Sequence, residues 1–253
     1  MKSLKNFVLL LIMLSSTYLS AQKLDNFIVS INYGTKGLTA ELSEVWPIRQ
    51  DVGSYYDGFN SNVNLGSWLN YAGVSPEFSF FNKKLSISPG LRFTNLNAEI
   101  VKSDYYKEGY YFLRVNSDGI TTNYARVKAI REETNYLGVP LEVKFTPFYF
   151  SYISFHVKLS AELAYKIYSS TDIEFKHADM ENYQNEVLND LSIGVNNVYS
   201  SVYASMGARF SLGDKMFCSL DVFLPAFYMT KNNSSLVNIN NISGAQFSLD
   251  IPF

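Results

Sequence analysis

Two histidines are the side chains best suited to moving protons near neutral pH in this 253-residue chain, and neither has the company that catalysis needs. His177 stands in "DIEFKHAD" beside Asp172, Glu174 and Asp179. A carboxylate there could orient a general base, but no nucleophile is marked out near it. His156 stands in an alternating run and reads as an interior histidine. No glycine-rich phosphate loop and no Cys/His cluster occurs. "DGFNSNVN" (57–64) offers oxygen ligands without the EF-hand order or its closing glutamate. The residues therefore point to no cofactor, no metal and no enzyme. What remains is a set of charges spaced two apart among hydrophobes: Lys36, Glu77, Arg92, Glu142, Lys144, Lys158, Glu162, Lys166, Arg209, Asp221 and Asp250. The signs nearly cancel, so the chemistry they suit is mutual ion pairing.

Spacing of two is the period of a β-strand, whose side chains alternate between faces. "ISFHVKLSAELAYKIY" (153–168) sets Phe155, Val157, Leu159, Ala161, Leu163, Tyr165 and Ile167 against His156, Lys158, Ser160, Glu162 and Lys166. "NYLGVPLEVKF" (135–145) sets Leu137, Val139, Leu141, Val143 and Phe145 against Gly138, Glu142 and Lys144. The same sorting recurs in "FIVSINYG", "YAGVSPEFSFF", "LSISPGLRF", "VYSSVYASMGARF", "MFCSLDVFLPAFY" and "GAQFSLDIPF", making eight predicted strands. Short connections, at 82–84, around Thr146-Pro147 and at Gly213-Asp214, alternate with long ones near 39–68, 102–132, 169–194 and 230–243. Strict alternation of this kind belongs to transmembrane β-barrels, with short turns at one end and long loops at the other.

Composition agrees. Nineteen Tyr and nineteen Phe bring the aromatic share to 16%. The opening "MKSLKNFVLLLIMLSSTYLSA" has two lysines, a short apolar run and small residues, the layout of a signal peptide over 1–21. The barrel domain then covers 22–253. After the signal, no apolar run is long enough for a spanning helix. Losing Lys2 and Lys5 moves the net charge from −2 to about −4, which gives nucleic-acid binding no support. One cysteine, Cys218, allows neither an internal disulfide nor a lipid anchor after the signal. The predicted fold class is all-β: an eight-stranded antiparallel transmembrane β-barrel with long extracellular loops, monomeric, in a Gram-negative outer membrane. "YYFLRVNSDGITTNYARVKAI" reads as a hairpin that either lengthens the third and fourth strands or makes ten. A lipocalin-like barrel, greasy side inward, is the soluble alternative.

The "SAQ" signal end, the strand "NYLGVPLEVKF" and the final aromatic Phe253 resemble small outer-membrane barrels of the OmpA-like and PorT-like type, over the whole mature chain. The resemblance implies that Phe253 is read by the barrel-assembly machinery. It also implies, through PorT-like members, an accessory role in type IX secretion.

For the lumen, eight strands leave room for little beyond their own side chains, so a plugged interior is expected and a narrow porin-like channel is the alternative. Loop aromatics Trp46, Tyr55, Tyr56, Phe59, Tyr105, Tyr106, Tyr110 and Tyr111 are candidate contact residues for a protein partner. Met180, Tyr183, Val187, Leu188 and Leu191 recur at helical spacing and predict a short helix at the barrel mouth. "NNSSLVNINN" reads as a polar, mobile loop. The functional expectation is a non-enzymatic structural, adhesion or docking protein whose surroundings are outer-membrane lipid.

Overall fold

The computed structural model describes residues 26–42, 63–102, 109–117, 122–191, 194–213, 216–224, 227–230 and 233–253. The signal segment, Trp46, Tyr55, Tyr56, Phe59, Tyr105, Tyr106 and most of "DGFNSNVN" lie outside them. The strands are β1 (Asn26–Leu42), β2 (Val63–Phe80), β3 (Leu85–Pro89), β4 (Leu91–Lys102), β5 (Tyr111–Ser117), β6 (Thr122–Tyr149), β7 (Ile153–Phe175), β8 (Val198–Ser211), β9 (Phe217–Phe223), β10 (Phe227–Tyr228) and β11 (Val237–Pro252).

Every pairing is antiparallel, and β1 pairs on both edges: with β2 from Asn26↔Ser79 to Gly37↔Trp68, and with β11 from Ile28↔Pro252 to Leu42↔Val237. The sheet therefore returns to its own start. β3 and β4 are one wall, interrupted opposite Pro140, which has no N–H to give the ladder; Gly90 N–H donates to the Pro140 carbonyl at 2.9 Å instead. β9 and β10 likewise make one wall on β8. Counted this way the ring is β1, β2, β3–β4, β6, β7, β8, β9–β10 and β11: eight walls.

The hairpin adds height and no circumference. β5 pairs with β6 at 122–127, on the edge that β4 uses from Ala129 downward. Three details differ from the sequence reading. Thr146-Pro147 is a bulge inside β6, and the turn into β7 lies at 150–152. The seventh wall is broken after Phe223. The "NNSSLVNINN" segment is not a free polar loop: Asn233, Ser234, Ser235, Leu236 and Val237 are all buried, because they fold down into the barrel mouth.

Strands β6 and β7 run to 28 and 23 residues, far beyond the ~10 that cross a bilayer. Their polarity reverses part-way. On β6 the outward residues Leu137, Val139, Leu141, Val143 and Phe145 are apolar and exposed, while Glu142 and Lys144 face in and are buried. Above Tyr136 the outward residues become Asn135, Glu133 and Arg131, and the inward ones become Ile130, Val127 and Ala125. β4 repeats the change, from outward Leu91 and Phe93 to outward Asn95, Asn97 and Glu99. An apolar outer wall is stable only against hydrocarbon and a polar one only against water. The reversal therefore marks the edge of the membrane belt, and the greasy-side-inward alternative is excluded for the lower half.

Above the belt the interior is an ordinary hydrophobic core. Ile100, Leu113, Val127, Ile130, Ile173 and Leu236 are no more than 2% exposed. A 3-10 turn (Ala178–Tyr183) leads into α1 (Gln184–Leu191), which buries Val187 here, with Met180 and Leu188 packed alongside. The predicted helix is present and covers this core. Tyr111 belongs to the same core, 3% exposed, its hydroxyl donating to the Ile100 carbonyl at 3.2 Å, which corrects its reading as a contact residue. Tyr110 packs edge-on to Phe112 with Lys176 over its ring at 4.2 Å.

Candidate functional site

Alternation aims one polar side chain inward from every second position, and closure of the ring brings those of all eight walls together. Nearest the turns, Glu77 on β2 meets Lys144 on β6 at 2.5 Å and Arg209 on β8 at 2.5 Å. Arg209 also reaches Asp250 on β11 at 2.7 Å, and Ser219 donates to the same Asp250 oxygen at 2.6 Å. One step up, Asp221 on β9 accepts from His156 Nε2 at 2.7 Å and from Lys158 Nζ at 2.8 Å. Lys158 lies 4.0 Å from Glu142, which links this group to the next.

That next group is built on Arg92, which is wholly buried. Its guanidinium donates to Glu142 at 2.9 Å, to Glu162 at 3.0 Å and to the Tyr203 hydroxyl at 2.7 Å, and it lies 4.1 Å over the Tyr71 ring. Thr94 donates to the other Glu162 oxygen at 3.1 Å. Charges this deep survive only when partnered and hydrogen-bonded. Gly207 is required for the packing. A Cβ there would stand 2.5 Å from both Asp221 Oδ1 and the Leu220 carbonyl, so even alanine would push β8 off β9.

Two of the residues grouped by sequence stand apart from the ion pairs. Lys36 has no hydrogen-bond partner among the described residues; its ammonium lies 3.8 Å over Tyr203, with Phe223 at 5.1 Å and Tyr71 at 5.2 Å. Ring faces lie against its charge, and Glu162 and Glu142 attract it without a direct hydrogen bond. Lys166 donates to the Val195 carbonyl at 2.7 Å. Parity sets Tyr71, Tyr203 and Gln246 on the inward face, but not their roles: Tyr71 and Tyr203 complete the Arg92 and Lys36 settings, and Gln246 accepts from Tyr71 at 2.5 Å. One gap between the layers, among the described residues, has a volume of about 10 Å³ near Asn32, Ser75 and Lys144, room for a single water.

Neither histidine is placed for catalysis among the described residues. His156 is 3% exposed and tied to Asp221, and His177 is exposed in the loop before the 3-10 turn. No group of three or more His, Cys, Asp and Glu side chains could hold a metal among the described residues. Phe253 is 79% exposed, with its ring 6.0 Å from that of Phe27 and its N–H donating to the Phe27 carbonyl at 2.9 Å.

At the mouth, one carboxylate that the sequence reading passed over holds the loop in place. Glu132 accepts from the Ser235 N–H at 3.0 Å and from its hydroxyl. Tyr136 donates to the Asn233 carbonyl at 3.3 Å. Burial pushes the Glu132 carboxyl above its ordinary 4.5, against the hydrogen bonds of Ser234 and Ser235 and the charge of Lys166, which hold it down. A raised carboxyl favours the folded loop while protonated. Its contribution is complete below about pH 4.5 and is lost as pH rises through the raised value. Protease nicking between Thr230 and Val237 should accelerate as pH rises above about 4.5 in the native chain relative to Glu132→Gln. A constant ratio would remove Glu132 from the latch.

No family model matches the chain, and no curated relative does either. Among solved structures it is similar to the outer membrane protein OprG from Pseudomonas aeruginosa: 10% identity, TM-score 0.40, over 92% of this chain and 97% of that one. It is also similar to Ail, the attachment invasion locus protein of Yersinia pestis, at 10% identity and TM-score 0.34 over 90% and 98%. The translocator domain of the autotransporter NalP from Neisseria meningitidis matches at 8% and 0.31 over 98% of each chain. These values add nothing to what the strand pairing and the outward belt already establish. The chain is an eight-walled membrane barrel.

Proposed function

We propose that the chain is a monomeric, non-enzymatic outer-membrane protein whose lumen is a closed strut and whose activity, adhesion or docking of another protein, lies at its loop end. The observation that carries this reading is the lumen: Arg92, Glu142, Glu162, Lys158, Asp221, Glu77, Arg209 and Asp250 join the walls through paired, buried charges. An ion crossing it would have to break pairs that cost several kcal/mol to separate. Above them the hydrophobic core and the Glu132-held loop fill the mouth. The strand "NYLGVPLEVKF" and the terminal aromatic favour, within the docking reading, an accessory role in type IX secretion, with Phe253 as the residue read during assembly.

Planar-bilayer recording decides between strut and channel. The refolded protein should show no stable conductance. Steady ion-selective currents that disappear in Arg209→Ala would replace the strut with a narrow channel.

A further inference from the structure

Four consecutive outward rows cross β2, β4, β6 and β7 where the membrane belt ends. The lowest of the four is Ala72, Phe93, Leu137 and Tyr165, apolar throughout. Above it stand Asn70, Asn95, Asn135 and Tyr168 in direct register, and above those Trp68, Asn97, Glu133 and Ser170. The fourth row is Gly66, Glu99, Arg131 and Asp172, fully polar. With strands ~4.8 Å apart, the two middle rows form a patch roughly 14 Å wide and ~7 Å tall.

The patch is ordered. Asn97 donates to Asn95, Asn95 donates to Asn135 at 2.7 Å and to Glu133 at 2.8 Å, and Asn135 donates to the same Glu133 oxygen at 3.1 Å. Ser67 donates to the Asn97 backbone carbonyl at 3.1 Å, which fixes the upper row to β2. Trp68 and Tyr168, 38% and 53% exposed, close opposite corners. Amides and a carboxylate held rigid between two aromatic faces match a sugar ring, whose hydroxyls both donate and accept and whose C–H face stacks on aromatics. A phosphate would meet Glu133 and no cation within these two rows. Because acyl chains must lie against Leu137 and Phe93 directly below, the sugar is one that stands on a lipid.

We infer that the Asn70–Asn95–Asn135 ladder, flanked by Trp68 and Tyr168, is a binding site for the sugar headgroup of a glycolipid in the surrounding leaflet. The inference rests on the membrane reading above.

The test is retention of lipid by the full chain refolded into nanodiscs of phosphatidylethanolamine and dephosphorylated lipid A, with bound lipid counted by native mass spectrometry. The native chain should hold the dephosphorylated glycolipid about tenfold over phosphatidylethanolamine. Trp68→Leu/Asn95→Leu should abolish the preference while still migrating as a folded barrel on an unheated gel. Phe227→Leu, on the far side of the ring, should leave it intact. Equal retention of both lipids by the native chain overturns the sugar site alone, as does a preference that survives the double substitution or appears only with phosphorylated lipid A. Failure of the native chain to enter the bilayer overturns the membrane reading as well.

Discussion

Replacing Arg92 with methionine should destabilise the barrel by about 3–5 kcal/mol, measured as denaturant unfolding in lipid vesicles. The magnitude follows from what the substitution leaves behind. Glu142 and Glu162 are 6% and 3% exposed, and each takes a hydrogen bond of 3.0 Å or less from this guanidinium. Without it, Lys158 at 4.0 Å is the nearest cation left beside Glu142, and Glu162 keeps the Thr94 hydrogen bond with Lys36 acting from farther off. Two carboxylates would then face each other with half a partner between them. Methionine fills much of the volume, so the loss reports on charge more than on a void. The diagnostic arm is the triple substitution Arg92→Met/Glu142→Gln/Glu162→Gln, which removes the uncompensated charges and should recover most of the stability. If the single variant unfolds like the native chain, water reaches these groups and the closed lumen is wrong.

The eight walls were legible in the sequence because β-period alternation is a one-dimensional signal, and each lower half-strand carries it intact. Val139 outward and Glu142 inward need no tertiary knowledge. What was not legible came from places where the alternation keeps its rhythm but changes its meaning. Above Tyr136 the β6 pattern still alternates, with polar and apolar exchanged between faces. Read locally, Asn135, Glu133 and Arg131 look like the start of a loop. The extent of the strands was accordingly underestimated at the loop end, where β1 reaches Leu42 and β7 reaches Phe175. The buried position of Ser234 and Ser235 was hidden for a different reason. Two serines among asparagines carry no burial signal, and only Glu132, 103 residues away, explains them. The lumen charges fell between these cases: parity named the inward residues, but which anion meets which cation depends on the register of walls far apart in sequence. Lys36 shows the limit, since nothing in "NYGTKG" announces three aromatic rings around its ammonium.

The same reversal makes the second large prediction. Leu141→Arg should cost about 2–4 kcal/mol in vesicle unfolding, the range for a cation at the middle of a lipid-facing strand. Leu141 is the central member of the outward series Leu137 to Phe145 and is 44% exposed on the bare chain, so a larger side chain meets no protein neighbour that would clash. The cost is then that of charge in hydrocarbon. Thirteen positions up the same strand, Lys128 also points outward, and Lys128→Leu should change stability by less than about 0.5 kcal/mol because water faces it. Inward at that height the rule turns over again: Ile130→Arg buries an unpaired charge in a core where Ile130 itself has no exposure, and should prevent folding of the loop-end half. A soluble barrel with this same face turned to water makes the opposite forecast for Leu141, where arginine on a wetted surface would be neutral. If Leu141→Arg unfolds with the native midpoint, the outward belt touches water rather than lipid, and the sorting of polarity that organises this chain must be explained without a membrane.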